Sequence, residues 1–389
     1  MEWKEYQIQD VCRLINGRAY SNDEMLEYGK YKIVRVGNLS GGNSTWFYSD
    51  LELPADKYCH NGDLLFAWAC TFGPHIWKED NTIFHYHIWK IVEDKDVVDR
   101  RFFYYYLKFA TGGFLGALNG SVMVHITKSS MEKMSIRIPK KLEDQRRIAS
   151  ILSSLDRKIE LNNKINADLE EIAQAIFKNW FVDFEPFKDG KFVDSELGMI
   201  PKGWKVGSPY EYVKVVYGAP YKSAKFNDNG EGLPLIRIRD LKNCNPQFYT
   251  PEILPQTEYV NMGDIVAGMD AEFVPHIWKG NTGLLNQRVC KLMPQQTSIS
   301  NLFVLYLMKP ELEFVQSYKT GTTVSHLGKA DIDKFVVVLP PLEVVEECSK
   351  ILDSILQRIK NISAESRTLS TLRDTLLPRL MSGELEIPE

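Results

Sequence analysis

The sequence predicts an α+β protein in which two similar globular domains are separated by two long helices. The helices are expected to form an antiparallel coiled coil, with pseudo-two-fold symmetry between the halves. Two observations predict this fold: the second half of the 389-residue chain repeats the first at a shift of 201 residues, and each copy ends in a heptad pattern. A chain of this length is too long for one ordinary core.

The repeat runs through the whole of each copy. Its strongest element is the pentapeptide Pro-His-Ile-Trp-Lys, which occurs at 74–78 and again at 275–279. Both copies also contain strand-like apolar runs and an apolar segment that predicts a helix, around 101–110 and 301–309. Each copy is therefore predicted to form an α+β domain of about 140 residues.

A change of periodicity marks the end of each domain. Apolar residues spaced alternately four and three apart run from Ile148 to Trp180 in the first copy and from Cys348 to Leu380 in the second. This spacing predicts two coiled-coil helices, and each is the nearest available partner for the other. A helix from about 143 to 183 spans roughly 60 Å at 1.5 Å per residue, so the pair could act as a strut that sets a spacing.

Two asparagines interrupt the first apolar seam. Asn162 and Asn166 lie in its middle, facing the equivalent Ile362 and Ser366. Buried polar residues in a seam can fix the pairing and its register. The alternative is that this part of the seam is solvated, and the sequence does not decide between the two.

Prolines and glycines indicate where the elements end. The first helix is expected to end near Phe184-Glu185-Pro186, because proline cannot continue a helix. The Gly-, Asp- and Pro-rich stretch that follows predicts a linker. The predicted organisation is a domain at 1–142, a helix at 143–185, a linker at 186–203, a second domain at 204–342 and a second helix at 343–382.

Charge and cysteine usage bound the class of protein. The net charge of −4 excludes a broadly basic chain, so nucleic-acid contacts must come from local Lys and Arg patches. The six cysteines show neither a C-x-x-C pair nor zinc-finger spacing, which indicates reduced thiols. The chain begins without a signal-like segment and has no apolar run near the roughly 20 residues that span a bilayer, so a cytoplasmic location is expected.

Five segments resemble the specificity subunits of type I restriction-modification systems. They are PKKLEDQRRI at 139–148, LDRKIELNN at 155–163, FKNWFVDFEP at 177–186, LGMIPKGW at 197–204 and LLPRLMSGE at 376–384. Their order, together with the repeat, extends the resemblance over essentially the whole chain. The second copy departs from the family's pattern at 342–346, where the first copy has a Gln-containing sequence.

The resemblance implies a non-catalytic subunit. Each of two target-recognition domains would read one half of a bipartite, asymmetric site in double-stranded DNA, and the helices would dock two modification (methyltransferase) subunits. Restriction (translocase/endonuclease) subunits would join the complex. The methyltransferase partner would bind S-adenosylmethionine, and this chain would need no cofactor. The helix positions expected to bind partners are Ile148, Leu155, Phe177, Trp180, Leu352, Ile355, Leu376 and Leu380.

The residues themselves offer no positive sign of catalysis. Adenine methylation needs a cofactor loop and an Asn/Asp-Pro-Pro-aromatic clamp for the flipped base, and FEPF at 184–187 lacks the Pro-Pro step. The sequence contains no G-x-G-x-x-G, P-loop, H-E-x-x-H or G-x-S-x-G motif, and its seven histidines form no local metal cluster. We therefore predict neither a catalytic nor a metal site. A stand-alone DNA-acting enzyme and a purely structural coiled-coil scaffold remain as alternatives.

Candidate DNA contacts that recur in both copies suit a shared scaffold or the DNA phosphates. Bases are read mainly by Arg, Lys, Asn and Gln, whereas phosphates attract Lys, Arg, Ser and Thr. For the repeated Trp77/Trp278 and His75/His276 a place in the core is favoured. Gly-Ser/Thr turns suit a phosphate grip or a simple capped turn. The recurring candidates are Lys78 with Lys279, Ser121 with Thr322, and Lys128 with Lys329.

Positions that differ between the copies are better candidates for sequence reading. Trp68 corresponds to Met269, Thr71 to Glu272, and His85-Tyr86-His87 to Asn286-Gln287-Arg288. Solvent-exposed loop filler is the alternative for these positions. Arg35 is embedded in a strand-like run, and Arg237 and Arg239 are predicted to share one face of a strand, pointing either at DNA or at a carboxylate. The sequence-reading candidates are Arg35, Trp68, Arg237, Arg239, Asn286, Gln287 and Arg288.

Overall fold

A computed structural model describes residues 1–39, 44–69, 72–117, 126–319 and 326–387, without the side chains of 112–117. The chain divides into two compact units. Unit 1 consists of Met1–Ile159 and Leu369–Glu389, and unit 2 of Glu160–Thr368. Each unit thus combines one copy of the repeat with a part of each long helix, a division that differs from the predicted one.

Long helices form where the heptads and apolar segments predict them. They are α1 (Arg100–Ala117), α2 (Leu142–Phe181), α3 (Asn301–Lys319) and α4 (Leu342–Ser382). We call the part of unit 1 before α2 domain 1, and the part of unit 2 between α2 and α4 domain 2. Both α1 and α3 are longer than predicted. Helix α3 continues through Pro310 because buried residues on both sides of the proline, including Met308 and Leu312, hold it against the core.

Single helical turns connect the strands. The α-helical turns are Ile8–Val11, Val36–Leu39, Lys128–Glu132, Ile238–Leu241 and Lys329–Ile332. The 3₁₀ turns are Asn22–Glu24, Ala55–Lys57, Glu185–Phe187, Pro209–Glu211 and Ser223–Lys225. None of the helices in the described ranges is long and apolar enough to cross a membrane.

The two domains have the same strand order. Domain 1 contains two four-stranded sheets and a two-stranded pair. The first sheet has the order Cys12–Asn16, Ile88–Glu93, Leu64–Ala67, Gly73–Ile76, and the second has the order Phe47–Ser49, Tyr31–Val34, Thr82–Phe84, Tyr58–Cys59. The pair consists of Trp3–Gln7 and Ser135–Pro139. In domain 2 the first sheet has the order Val213–Tyr217, Val289–Pro294, Ile265–Gly268, Pro275–Ile277, and the second has the order Tyr249–Thr250, Leu233–Ile236, Gly283–Leu285, Tyr259–Val260. The two-stranded pair consists of Lys205–Gly207 and Val337–Leu339. In each second sheet the two central strands are parallel. The predicted α+β repeat is confirmed.

A repeated glycine has a steric reason. A Cβ on Gly17 would lie 2.2 Å from the His85 carbonyl oxygen, and one on Gly218 would lie 2.1 Å from that of Asn286. Only glycine allows this approach between two backbone segments. Both copies therefore keep glycine where a strand end passes the turn at 85–87 or 286–288.

The seam asparagines of unit 2 are buried and bonded to α4. Asn162 Nδ2 donates to Ser366 Oγ at 3.2 Å, and Asn166 Nδ2 donates to Ser363 Oγ at 3.0 Å. The higher-numbered asparagine contacts the lower-numbered serine, so the helices run antiparallel, as predicted. The pairing interpretation is supported and the solvated one is wrong. The expectation that Asn162 faces Ile362 is also wrong, because the antiparallel register brings Ser366 to it.

The stretch at 182–203 is folded and is not an open linker. Helix α2 ends at Phe181, before the predicted Phe184-Glu185-Pro186 stop, and Phe184 takes a left-handed conformation with φ of 54°. Phe192–Val193 then pairs with Ile200–Pro201 as an antiparallel hairpin. Ile200 and Trp204 are buried in the main core of unit 2, so apolar burial fastens this segment to its domain.

Candidate nucleic-acid interface

In each domain a loop that follows a strand of the parallel pair meets a loop that follows an antiparallel strand, and equivalent backbone bonds hold them in both domains. In domain 2 the Asn286 N–H donates to the Ile236 carbonyl at 3.2 Å and the Met269 N–H to the Arg288 carbonyl at 2.9 Å. In domain 1 the equivalent bonds run from His85 to Val34 at 3.0 Å and from Trp68 to His87 at 3.1 Å. We call residues 68–69 with 85–87 loop cluster 1, and residues 269–272 with 286–288 loop cluster 2. The strands and bonds common to both domains are the shared frame.

Loop cluster 1 is aromatic. The Trp68 indole Nε1 donates to the Tyr86 carbonyl at 2.9 Å, and the Trp68 ring meets His87 edge-on with centroids 5.0 Å apart. Trp68 also stacks on Trp89 at 5.8 Å, and Tyr86 is 41% exposed. A cavity of about 400 Å³ opens beside them, lined by Asn16, Gly17, Trp68, Tyr86, Trp89, Ile126, Thr127 and Lys128.

The imidazoles of loop cluster 1 are uncharged at neutral pH. Burial lowers the pKa of His85 to about 4, and the nearby His87 and Arg35 shift it in the same direction. Burial also lowers the pKa of His87. Because desolvation disfavours the charged form of histidine, this surface presents rings and neutral polar groups.

Loop cluster 2 is charged. Arg288 Nε lies 3.4 Å from Asp270 Oδ2, and His326 Nδ1 lies 2.7 Å from Asp270 Oδ1. Glu272 lies 3.8 Å from His276. In domain 1 the position of Asp270 is taken by Ala69 and that of Arg288 by His87. The shared frame therefore carries an uncharged aromatic surface in domain 1 and a charged surface in domain 2.

Asn286, the first of the three predicted base readers, has a structural role. Its side chain is buried, and its Oδ1 accepts the Arg288 backbone N–H at 3.3 Å within the turn. The next two residues, Gln287 and Arg288, are exposed. The sequence did not predict this division because an asparagine that closes a turn and one that reads a base look alike in a sequence.

The prediction that Arg237 and Arg239 share a strand face is wrong. The strand ends at Ile236, and Ile238–Leu241 forms a helical turn in which Asp240 accepts the Arg237 N–H at 3.0 Å. The Arg237 guanidinium lies over the Phe248 ring and 3.5 Å from the buried Asp240, so it points at a carboxylate. Arg239 is exposed, and among the described residues its guanidinium makes no hydrogen bond or ion pair.

Arg35 has an environment like that of Arg237. It follows the strand Tyr31–Val34, its Nη2 donates to the Thr45 carbonyl at 3.0 Å, and its guanidinium lies over the Phe47 ring. An arginine stacked on a phenylalanine at this strand end thus belongs to the shared frame.

Lys279 lies at the other end of the strand from loop cluster 2. The pairing of Ile265 with Ile277 and of Ala267 with Pro275 places residue 279 beyond the start of Ile265–Gly268. Its ammonium pairs with Glu170 of α2, and Arg367 of α4 donates to its carbonyl at 2.8 Å. Lys279 therefore has a scaffold role in unit 2. The equivalent Lys78 is exposed.

The other recurring positions are only partly described. Trp77 and Trp278 are buried in the cores of their domains, as favoured, and His75 and His276 are half-buried. Ser121 and Thr322 lie outside the described residues, as does Thr71. Thr127 Oγ1 accepts the Ser130 N–H at the start of the turn that Lys128 opens, and Lys329 pairs with Asp333 at 2.7 Å. These details fit the capped-turn alternative.

The predicted partner-binding positions face inward. Ile148, Leu352, Leu380 and Phe177 are buried in their own units, and Leu155, Trp180, Ile355 and Leu376 are partly buried. The buried positions pack within their own units, as where Phe177 lies against Phe303 and Tyr306 of α3, so they do not present a surface to a partner. For the partly buried positions, partner binding stays a prediction. The exposed apolar side chains of the two helices are different ones: Leu161, Ile172, Ile351 and Leu372.

Metal binding finds no support in the described ranges. No group of three or more His, Cys, Asp or Glu side chains within them is placed to hold a metal ion.

Comparison with known proteins gives a consistent result. A family model described as Type I restriction modification DNA specificity domain matches residues 1–171 and 201–369. The type I restriction enzyme MjaIX specificity subunit of Methanocaldococcus jannaschii is 29% identical over 321 residues, covering 76% of this chain and 71% of the relative. The HindI specificity subunit of Haemophilus influenzae is 24% identical over 468 residues of alignment, covering 99% of this chain and all of the relative (100%). The crystal structure of a type I restriction-modification S subunit from M. genitalium shares the fold, with a TM-score of 0.54, 16% identity and coverage of 97% of this chain and 96% of that one.

Proposed function

This chain belongs to the type I restriction-modification DNA specificity family, and on that premise we propose that its two domains read the two different halves of one bipartite DNA site. As a specificity subunit it is non-catalytic and works with methyltransferase and restriction subunits and DNA. What we propose beyond that is the division of labour between the domains and the residues that perform it.

One observation carries the proposal: equivalent loops on the shared frame have opposite chemistry. The frame holds both clusters with the same backbone bonds. Loop cluster 1 presents Trp68, Tyr86 and His87, whereas loop cluster 2 presents Gln287 and Arg288. Since base edges differ in their donors, acceptors and methyl groups, such different surfaces select different bases. Two identical domains would instead read a symmetric site.

Each cluster suggests its own mode of reading. The aromatic surface of loop cluster 1 suits apolar contact with a thymine methyl group or stacking on a base. Gln287, Arg288 and Arg239 supply the donors that major-groove edges accept. We assign Arg35, Arg237, Lys279 and Asn286 to the frame. Ser121, Thr322, Lys128 and Lys329 stay predictions as phosphate contacts.

The docking of partners is proposed at exposed helix positions. Ile172 on α2 is 50% exposed and the equivalent Leu372 on α4 is 45% exposed. Exposed apolar residues at repeated positions suit two copies of one partner, so we place a modification subunit at each. The cofactor of methylation, S-adenosylmethionine, would belong to those subunits, and the complex would act in the cytoplasm, where bacterial and archaeal DNA lies.

A methylome tests the proposed function. Cells carrying the modification partner are sequenced with and without this gene, and the expected result is a bipartite, asymmetric motif containing methylated adenine that depends on the gene. The absence of such a motif would contradict the proposal. A purely structural scaffold predicts no sequence-selective retardation of DNA even with the partner present. A stand-alone enzyme predicts DNA turnover by the purified chain alone.

A further inference from the structure

We propose that Arg288 reads the guanine of a G·C pair in the half-site of domain 2, and that Asp270 is its positioning residue. This inference rests on the proposed function and names a base that one residue of domain 2 selects. Four features support it: the contact of Asp270 with the Arg288 guanidinium, the turn that fixes Asp270, the local charge, and the absence of this ion pair from domain 1.

The contact with Asp270 is made at Nε of Arg288 and leaves the terminal nitrogens available for a base. Asp270 Oδ2 lies 3.4 Å from Arg288 Nε, and no other ion pair or hydrogen bond of the guanidinium occurs among the residues that the structure describes. No other described residue engages Nη1 or Nη2 in a hydrogen bond or ion pair, and the side chain is 54% exposed. A fork of two N–H donors matches the O6 and N7 acceptors of guanine.

The carboxylate that makes this contact is itself fixed. Its second oxygen, Asp270 Oδ1, bonds His326 Nδ1 at 2.7 Å. Ala271 has φ of 61°, a conformation that residues with a side chain rarely adopt, and the Glu272 N–H donates back to the Asp270 carbonyl at 2.7 Å. A Cβ on Gly268 would lie 2.2 Å from the Glu272 carbonyl oxygen, so only glycine permits the turn. The position of Asp270 is thus set by backbone and side-chain contacts together.

The local charge favours a base over a phosphate. One cation, Arg288, shares the loop cluster with two carboxylates, Asp270 and the exposed Glu272. A phosphate site requires excess positive charge, which this surface lacks. A G·C pair fits it, because guanine accepts two hydrogen bonds from arginine and the cytosine N4 amino group donates to a carboxylate.

Domain 1 shows that the pair is not part of the frame. The equivalent residues are Ala69 and His87, and the backbone bond that joins the two loops is present without them. An ion pair needed to build the domain would be expected in both copies. The Asp270–Arg288 pair occurs only where the loops differ.

The test replaces guanines one at a time by 7-deazaguanine, which lacks N7 but still pairs with cytosine. Binding is measured for the full chain assembled with its modification subunits, on duplexes carrying the motif that the methylome defines. We expect the wild type to lose about fivefold in affinity at one guanine of the second half-site, as for one lost contact of a bidentate pair. Arg288→Ala, which removes the donors, should bind the normal and the 7-deaza duplex equally. Lys279→Ala, which removes a cation of the frame that pairs with Glu170, is the control and should keep the fivefold difference.

Asp270→Asn separates positioning from a structural role. This variant should discriminate less at the same guanine, yet bind unrelated DNA more tightly because a negative charge is gone. A merely structural residue would leave the sensitivity to 7-deazaguanine at its wild-type size. The inference is overturned if Arg288→Ala retains the wild-type sensitivity to 7-deazaguanine, if Arg288→Ala weakens binding to the motif and to unrelated duplexes by the same factor, or if no guanine of the second half-site responds in the wild type. Absence of any motif in the methylome would instead contradict the proposed function.

Discussion

Arg373 of α4 is paired with Asp156 of α2 inside unit 1, with Arg373 Nη1 2.7 Å from Asp156 Oδ1. The Tyr105 hydroxyl donates to the other carboxylate oxygen, also at 2.7 Å. The repeat places Leu356 and Ala173 at the equivalent positions, and both are buried in the core of unit 2. At equivalent positions of the two long helices, unit 1 thus has an ion pair and unit 2 has two buried apolar residues. This difference distinguishes α2 from α4.

The first prediction concerns this ion pair. Arg373→Ala should lower the free energy of unfolding by about 1–2 kcal/mol, because it leaves a half-buried carboxylate with one partner fewer. Asp156→Leu combined with Arg373→Ala reproduces the pair found in unit 2 and should recover most of the loss. Urea unfolding of the full chain measures both variants. A double variant as unstable as the sum of the two single variants would contradict this account.

A second prediction concerns the seam of unit 2. Asn166 is buried and its Oδ1 has no partner among the described residues, while the Ser363 hydroxyl that it meets also bonds the Ile359 carbonyl at 2.7 Å. Asn166→Leu should therefore raise the free energy of unfolding by about 1 kcal/mol, since a buried carbonyl without a partner is removed. The exposed Asn163 is the matched control, and Asn163→Leu should change little. A destabilised Asn166→Leu would show that the asparagine contributes net stability.

A third prediction concerns acid. The pKa of His85 is lowered to about 4 in the folded protein, whereas in the unfolded chain it lies near 6.5. Between these values the unfolded chain binds more protons than the folded one. The stability contributed by neutral His85 is therefore fully present above pH 6.5 and is lost as the pH falls toward 4. His85→Asn, which introduces the residue found at the equivalent Asn286, should flatten this fall. The free energy of unfolding of both proteins is measured from pH 7 to 4. An equally steep fall in His85→Asn would contradict a lowered pKa of His85.

A fourth prediction separates scaffold from contact with two cations of domain 2. Lys279→Ala breaks the pair with Glu170, so it should cost about 0.5–1 kcal/mol in unfolding and leave DNA affinity nearly unchanged. Arg239→Ala removes an exposed charge on the helical turn Ile238–Leu241. It should leave the stability unchanged, weaken binding to the motif by about 1–3 kcal/mol and relax the selectivity at one base pair. The reverse pattern would exchange the two roles.

The sequence predicted the shared frame well because the repeat compares the chain with itself. Gly17 and Gly218 recur for a steric reason, and the buried Trp77 and Trp278 recur because the cores are alike. The heptads predicted both long helices for a similar reason, since an apolar seam must be covered.

The finer assignments needed contacts that sequence spacing does not contain. Asp270 was missed because its partners, Arg288 and His326, come from separate segments of the chain. Arg237 and Arg239 were placed on one face because the helical turn capped by Asp240 was not recognised. The helix residues assigned to partners follow the apolar seam, and four of them, Ile148, Phe177, Leu352 and Leu380, are buried in their own units. Heptad spacing alone does not distinguish a position buried within the chain from one that a partner covers.

The most direct test of the central claim compares two variants in one experiment. Trp68→Ala alters loop cluster 1, and Arg288→Ala alters loop cluster 2. Long-read methylomes are recorded for cells carrying each variant, or the wild type, with the modification partner. The account predicts that Trp68→Ala relaxes bases in one half of the motif only, and that Arg288→Ala relaxes a base in the other half only. If both variants change the same half, or either variant changes both halves, the two domains do not read separate half-sites.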